Sequence, residues 1–254
     1  MPELSRGRYR VALAQSEEEV QAAQRLRHLA FVATRGRGGE GLTDRDADDF
    51  DAGASHLLVW EGTRAVACCR LRLVSGADLL TTYAAQYYDL TALARGFPAP
   101  MLELGRFCLA PDCHDPDVLR LAWAGLTVVV DRAGAGLLFG CTSFAGADPQ
   151  RHGAALAGLR PHLGPDRWRP GPKSAERVEL SGLAAPFNPH QALAGLPPLL
   201  RSYLAMGGWV SDHAVIDRAL DTLHVFTGVE VAAIPATRAR ALRAIAAGAG
   251  KELG

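Results

Sequence analysis

Apolar and polar positions alternate along this chain in two periods, and the switches between them mark its elements. Tyr9 to Ala14 reads as a first strand. Ser16 and Glu19, three positions apart, form the sequence of a capping box. Val20, Ala23, Leu26 and Ala30 follow at helical spacing, so a helix runs to about Phe31. A Gly- and Arg-rich loop, Arg35 to Gly41, leads into the acidic cluster Asp44, Asp46, Asp48, Asp49 and Asp51. Strands are expected at His56 to Trp60 and Ala65 to Val74, joined by a turn at Glu61-Gly62-Thr63-Arg64. Asp78 to Leu93, with Tyr83, Tyr87 and Tyr88, reads as helix, broken by Pro98 and Pro100. Met101 to Ala110 reads as a strand, and Asp115-Pro116 opens a helix reaching about Ala133.

Further on, Gly136 to Phe144 is an apolar run of strand length, and Asp148-Pro149 opens a helix that ends near Gly158. Arg160 to Pro172 is rich in Pro, Gly and Arg and reads as a loop; Val178 to Leu180 is a short strand. Pro197-Pro198 pre-sets a helix over Leu199 to Met206, which Gly207-Gly208 terminates. Leu223 to Val231 reads as the final strand, and Pro235 begins a C-terminal helix. Strands alternating with helices around one mixed sheet predict an α/β fold in a single domain spanning 1–254.

Composition narrows the function classes. At 254 residues, with 48% hydrophobic and 21% charged residues, the chain is long enough to bury a sizeable core. The formal net charge is zero, so no global field favours nucleic acid or an anionic membrane. The five cysteines contain no CxxC pair, which fits a reducing cytoplasm and buried thiols rather than zinc; no metal is expected. The start MPELSRGRYR has no apolar stretch behind its charges, and the apolar run Leu126 to Val130 is far shorter than the ~20 residues of a membrane span. A cytoplasmic protein, at most peripheral on the inner membrane, is expected.

The chemistry-bearing stretch is Glu103-Leu104-Gly105-Arg106-Phe107-Cys108. With Arg27…Phe31, Asp48-Asp49-Phe50-Asp51 and Arg70-Leu71, it resembles the acyl-carrier-protein-dependent branch of GNAT-like acyltransferases. That branch includes acyl-homoserine-lactone synthases and the ornithine–acyl-carrier-protein N-acyltransferases of ornithine-lipid synthesis. Leu196-Pro197-Pro198-Leu199-Leu200-Arg201-Ser202-Tyr203-Leu204, Gly208-Trp209-Val210-Ser211-Asp212 and Gly140-Cys141-Thr142-Ser143-Phe144 are similar to the second family. The resemblance covers residues 8 to 235. It implies a GNAT-like fold, with a mixed, mostly antiparallel sheet and a V-shaped cleft between two parallel strands. It also implies transfer of a (3-hydroxy)fatty acyl group to the α-amine of ornithine. One departure stands out: His224 occupies a position just before the last strand where that family carries an acid, which makes a neutral amino acid such as glutamine an alternative acceptor; lysine is a further one. Lactone synthesis is a further alternative, although the Leu196 to Asp212 block extends beyond those shorter enzymes.

Acyl transfer from a thioester to an amine requires loss of an ammonium proton and stabilisation of an oxyanion. Glu103 is the candidate base, directly or through a water; its other reading is an ion pair with Arg106. Three apart on a regular strand, these residues face opposite sides, and a bulge at Gly105 brings them to one face. By the resemblance, that bulge opens the cleft for the donor's pantetheine arm, with the Phe107 and Cys108 amides nearest the thioester. Ser143 is a candidate to protonate the leaving thiolate or bind substrate. Asp48 and Asp51 either hold the acceptor's ammonium groups or pair with Arg27 and Arg70; Asp212 is a further candidate for the amine.

Gln150-Arg151-His152-Gly153-Ala154-Ala155 matches a pyrophosphate-cradling pattern but lies outside the position such a helix occupies. The helix start at Pro111-Asp112-Cys113-His114-Asp115 has no glycines and two acids, which suits a carrier-protein donor rather than coenzyme A. No cofactor of the protein's own is expected, since acyl carrier protein brings its phosphopantetheine. Arg120, Arg132, Arg151, Arg160, Arg167 and Arg169 are candidates to face that acidic partner, and Leu79, Leu80, Tyr83, Tyr87 and Leu90 to line an acyl channel.

Overall fold

The computed structural model describes residues 1, 3–32, 44–183 and 189–249. The expected loop Arg35 to Gly41 lies outside them. Along the chain come β1 (Leu4–Arg6), β2 (Tyr9–Leu13), α1 (Glu17–Phe31), β3 (Ser55–Glu61), β4 (Arg64–Val74), β5 (Tyr88–Asp89), α2 (Thr91–Gly96), β6 (Met101–Leu109) and α3 (Pro116–Ala133). They are followed by β7 (Leu137–Ala145), α4 (Gly153–Ala157), β8 (Gly171–Pro172), β9 (Arg177–Glu179), α5 (Pro189–Gly195), α6 (Pro198–Ala205), β10 (Trp209–Asp217), β11 (Thr222–Glu230) and α7 (Ala236–Ala249). Two compact units divide these elements: the described residues within 1–73, 104–134 and 236–254 form the first, and those within 74–103 and 135–235 the second.

In the first unit the strand order is β1-β2-β3-β4-β6, with β1 to β4 joined as antiparallel neighbours. Both Leu57 and Leu58 of β3 are buried, because helices cover both faces of the sheet. Ala23 and Leu26 of α1 pack with Leu58, Trp60, Cys68 and Cys108 on one face. On the other face α3 approaches so closely that a Cβ at Gly125 would lie 2.9 Å from Val11. Sequence explains both helices. Ser16 caps α1 by accepting the Glu19 N–H, while the Glu19 carboxylate reaches past the cap to the Gln15 N–H at 2.6 Å. Asp115 caps α3 ahead of Pro116, and Gly134, at φ +60°, ends it. α7 packs on α3, and Arg243 forks onto Asp131 at 2.8 and 2.9 Å.

In the second unit β7 is flanked by a parallel stretch of β6, with Met101↔Leu137, Leu102↔Leu138 and Glu103↔Phe139 in register, and by antiparallel β11, then β10 and β9. Every other ladder between the named strands of the described residues is antiparallel wherever its register is defined. One sheet face packs Phe144, Val225 and Ala214 against Leu156 of α4 and Leu200 of α6. The opposite face carries Phe139, Val215 and Phe226 under Leu79, Tyr88, Leu90 and Leu93.

The helix expected over Asp78 to Leu93 is replaced by 3-10 turns at Gly76–Thr81 and Ala84–Gln86, then β5 and α2. A tertiary acceptor takes the main-chain donors: the N–H groups of Tyr83 and Ala84 point to the Glu103 carboxylate. The Asp89 side chain likewise accepts the N–H of Thr91 and starts α2 afresh. β1, α5 and β10 are additions to the sequence reading, as is β8, which pairs with β5 inside the stretch expected to be loop. In β10 the polar run Ser211-Asp212-His213 masks the alternation. The register with β11 shifts between Val210 and Ala214, where Ser211 Oγ donates to the His213 carbonyl and accepts the Phe226 N–H.

Candidate active site

In the first unit, five of the sequence-selected residues converge. Arg27, fully buried on α1, forks onto Asp51 with contacts of 2.7 and 3.1 Å, and its Nε donates to Asp46 at 3.3 Å. Arg70 of β4 reaches Asp51 at 2.8 Å and also binds Asp48. Arg106 of β6 donates to Asp48 at 3.0 Å and approaches Asp46 at 3.5 Å. Local sequence presets the acids. Asp48 caps the 3-10 turn Asp49–Asp51, and the Asp51 side chain returns to the Asp48 N–H, so two carboxylates face the arginines from one turn.

Three guanidinium groups thus offset three carboxylates. Burial pushes the Asp51 carboxyl up, but the Arg27 and Arg70 guanidiniums outweigh it and hold the group well below the usual carboxylate range. Asp48 is likewise held down against its burial by Arg70 and Arg106. Asp48 and Asp51 are engaged by arginines, the network alternative of the sequence reading. Arg106 sits in the left-handed region at φ +54°, so the irregularity expected at Gly105 falls on the next residue. Phe107 stacks on Trp123, with centroids 6.3 Å apart, and the buried Cys108 thiol lies 3.6 Å from Cys68 Sγ.

In the second unit Glu103 is buried, its carboxylate accepting the Ala84 N–H at 2.8 Å and the Tyr83 N–H at 3.3 Å. Two main-chain donors hold the side chain in place. By register Glu103 shares a sheet face with Phe139, Cys141 and Ser143 of β7, and Ser143 is directly opposite His224 of β11. Ser143 is exposed.

The same face holds residues the sequence did not bring together. Tyr88 Oη contacts His224 at its carbonyl and Nδ1, the Tyr87 ring meets the His224 ring edge-on at 4.8 Å, and the Tyr87 hydroxyl donates to Asp217 at 3.2 Å. Burial pushes His224 down to about 4, against the opposing charge of Asp217, so the ring is neutral at pH 7. Val215 is paired with His224, and Asp217, two residues on, points to the same side. Alternation along β10 and β11 would have revealed the cluster had β10 been read as a strand. Asp212 lies at its margin, 2.8 Å from His213 Nδ1 and 3.8 Å from Arg169. Asp212, His213 and Glu179 place potential ligand atoms within 4.8 Å of one another, but Arg177 already holds Glu179 at 2.8 Å.

Of the other candidates, Leu79 and Leu90 are core residues and Leu80 is exposed. Arg120 pairs with Asp117, Arg160 binds the Leu180 and Leu183 carbonyls, and Arg169 binds Gly164 and Asp166. The glycine-containing segment after Gln150 forms a 3-10 turn and the five-residue α4, too short to cradle a pyrophosphate.

Residues 26–124 match the acetyltransferase (GNAT) domain. A protein of Brucella abortus named L-ornithine N(alpha)-acyltransferase is 35% identical over 235 residues, covering 87% of this chain and 83% of its own. A Rhodobacter capsulatus protein of the same name is 34% identical, covering 85% and 88%. Among solved structures, the CoA-dependent acyl-homoserine lactone synthase MesI is similar over 93% of this chain and 95% of its own, with a TM-score of 0.51 and 13% identity. The GNAT-like fold expected from the sequence is the fold observed.

Proposed function

This chain belongs to the L-ornithine N(alpha)-acyltransferase family, and from that premise we propose that it moves a (3-hydroxy)fatty acyl group from acyl carrier protein to the α-amine of L-ornithine. The protein is an acyltransferase. The chemistry rests on one observation above all: a buried carboxylate, Glu103, held by two main-chain donors on the strand that leads into Arg106.

In the proposed reaction Glu103 takes a proton from the acceptor's ammonium, directly or through a water. The freed amine attacks the thioester carbonyl carbon, forming the C–N bond and placing negative charge on the oxygen. That oxyanion calls for main-chain donors, the role the family resemblance implies for the N–H groups of Phe107 and Cys108. Its collapse breaks the C–S bond, the attacking nitrogen gives up its second proton, and Ser143 is assigned to relay that proton to the leaving thiolate, ending as the hydroxyl it began as. Arg27, Asp48, Asp51, Arg70 and Arg106 act as a charge-balanced frame that holds the Arg106 end of β6. Asp212 is assigned to the outer margin of the acceptor site.

Acyl carrier protein is the proposed donor because the α3 start has no glycine-rich phosphate cradle and carries Asp112 and Asp115 instead. No helix among the described residues is long and apolar enough to cross a membrane. The product has a fatty tail, so the proposal includes peripheral contact with the inner membrane at release. The test is incubation with 3-hydroxyacyl carrier protein and free amino acids, read by mass. Acylated ornithine supports the proposal; acylated glutamine or lysine alone, a lactone from S-adenosylmethionine, or no product overturns it.

A further inference from the structure

We propose that His224 and Asp217 form the subsite for the acceptor's side-chain ammonium, and so set specificity for a basic amino acid. The inference rests on the amino-acid acylation proposed above. It starts from an imbalance in the cluster. Tyr88 has one hydroxyl proton, and its Oη is 2.9 Å from the His224 carbonyl, which can only accept. The 3.1 Å contact between Tyr88 Oη and His224 Nδ1 is then an Nδ1–H donated to the phenol oxygen. That assignment leaves Nε2 as a bare lone pair. Nε2 is buried without a hydrogen-bond partner among the described residues, on a side chain only 2% exposed. An orphaned buried acceptor costs about 1–3 kcal/mol and calls for a donor.

Asp217 shows the complementary deficit. It is buried, and among the described residues no Lys or Arg forms a salt bridge with it. Its carboxylate accepts only neutral donors there, the Leu220 N–H at 2.9 Å and the Tyr87 hydroxyl at 3.2 Å. A buried carboxylate without a counter-charge is the arrangement proteins avoid. The Tyr87 ring, packed edge-on against His224, joins the two groups at one corner and is half-buried, so it forms the outer wall.

A primary ammonium answers both deficits at once. It brings N–H donors for the imidazole lone pair and the carboxylate, and a positive charge for Asp217. An amide side chain would satisfy the lone pair but leave the carboxylate uncompensated; an alkyl side chain would satisfy neither. From Asp217 the contacts run through Tyr87 Oη to Tyr83 Oη, 3.4 Å apart, and the Tyr83 N–H lies on Glu103. One tyrosine side chain, Tyr83, therefore lies along the contacts that link the ammonium corner to the base.

The test compares ornithine with norvaline, which has the same carbon chain without the terminal amine, using 3-hydroxyacyl carrier protein as donor. Unsubstituted protein should prefer ornithine strongly in kcat/KM. Asp217→Asn keeps an acceptor for the Leu220 N–H; it should lower kcat/KM for ornithine by on the order of 10²-fold while norvaline turnover, which also reports folding, stays within about twofold. A parallel fall on both substrates, or an unchanged preference, overturns the inference. Equal use of both by the unsubstituted protein overturns it while leaving amino-acid acylation standing. Acylation of neither removes the reading it rests on, and the inference with it.

Discussion

The phenol of Tyr88 holds His224 from two directions, with Oη 2.9 Å from the histidine's carbonyl oxygen and 3.1 Å from its Nδ1. Tyr88 is fully buried, and its own ring packs on Phe226 and His213, so one side chain ties β5 to β11 and β10.

Tyr88→Phe keeps the ring packing and removes both contacts at the hydroxyl. Two buried polar groups then lose a partner, and stability should fall by about 1–3 kcal/mol. The midpoint of urea unfolding, compared with the unsubstituted protein at an unchanged slope, measures it.

His224 makes stability depend on pH in a defined window. Burial lowers its folded pKa to about 4, below the ~6.5 of an unfolded histidine. Between those values the unfolded chain binds a proton that the folded chain excludes, so stability is lost as pH falls through the window and is fully present above it. The effect is on the order of 3 kcal/mol over the window. Unfolding measured from pH 7 down to pH 4 should show the decline, and His224→Gln should flatten it.

The arginine–aspartate frame carries the opposite kind of group. Asp51 and Asp48 have folded pKa values held down by arginines, so their contribution is present above the unfolded value of ~3.9 and is lost as pH falls below it. Asp51→Ala leaves Arg27 buried with one partner fewer, and loss of a buried ion-pair partner costs about 3–5 kcal/mol. The variant should unfold at markedly lower temperature than Arg120→Ala, whose pair with Asp117 is solvent-exposed. Equal melting temperatures would show that the frame adds no stability.

These features differ in how far the sequence displayed them. Ser16, Asp115-Pro116 and Gly134 are local signals, so α1 and α3 were legible from one stretch of chain. Glu103, Arg106, Arg27, Asp48, Asp51 and Arg70 were legible as a set through resemblance. Composition alone could not say that three arginines would neutralise three aspartates. Asp78 to Leu93 was misread because its helix competes with a carboxylate 19 residues ahead of Ala84, a contact no local pattern encodes. The His224–Asp217 corner was hidden for a similar reason. Its two strands pair in regular register from Ala214 to Asp217, but β10 first crosses a register shift, and the residues that mark that shift, Ser211 to His213, look like a loop.

The most direct measurement concerns the carboxylate on β6. Glu103→Gln keeps an acceptor oxygen for one of the two N–H groups, Tyr83 or Ala84, turns its NH2 to the other, and cannot take the ammonium proton. At pH 7, with ornithine and 3-hydroxyacyl carrier protein, kcat should fall by roughly 10²–10⁴-fold while the KM for the carrier protein stays within about twofold. A variant that turns over at the unsubstituted rate would contradict the account and move the base to another residue.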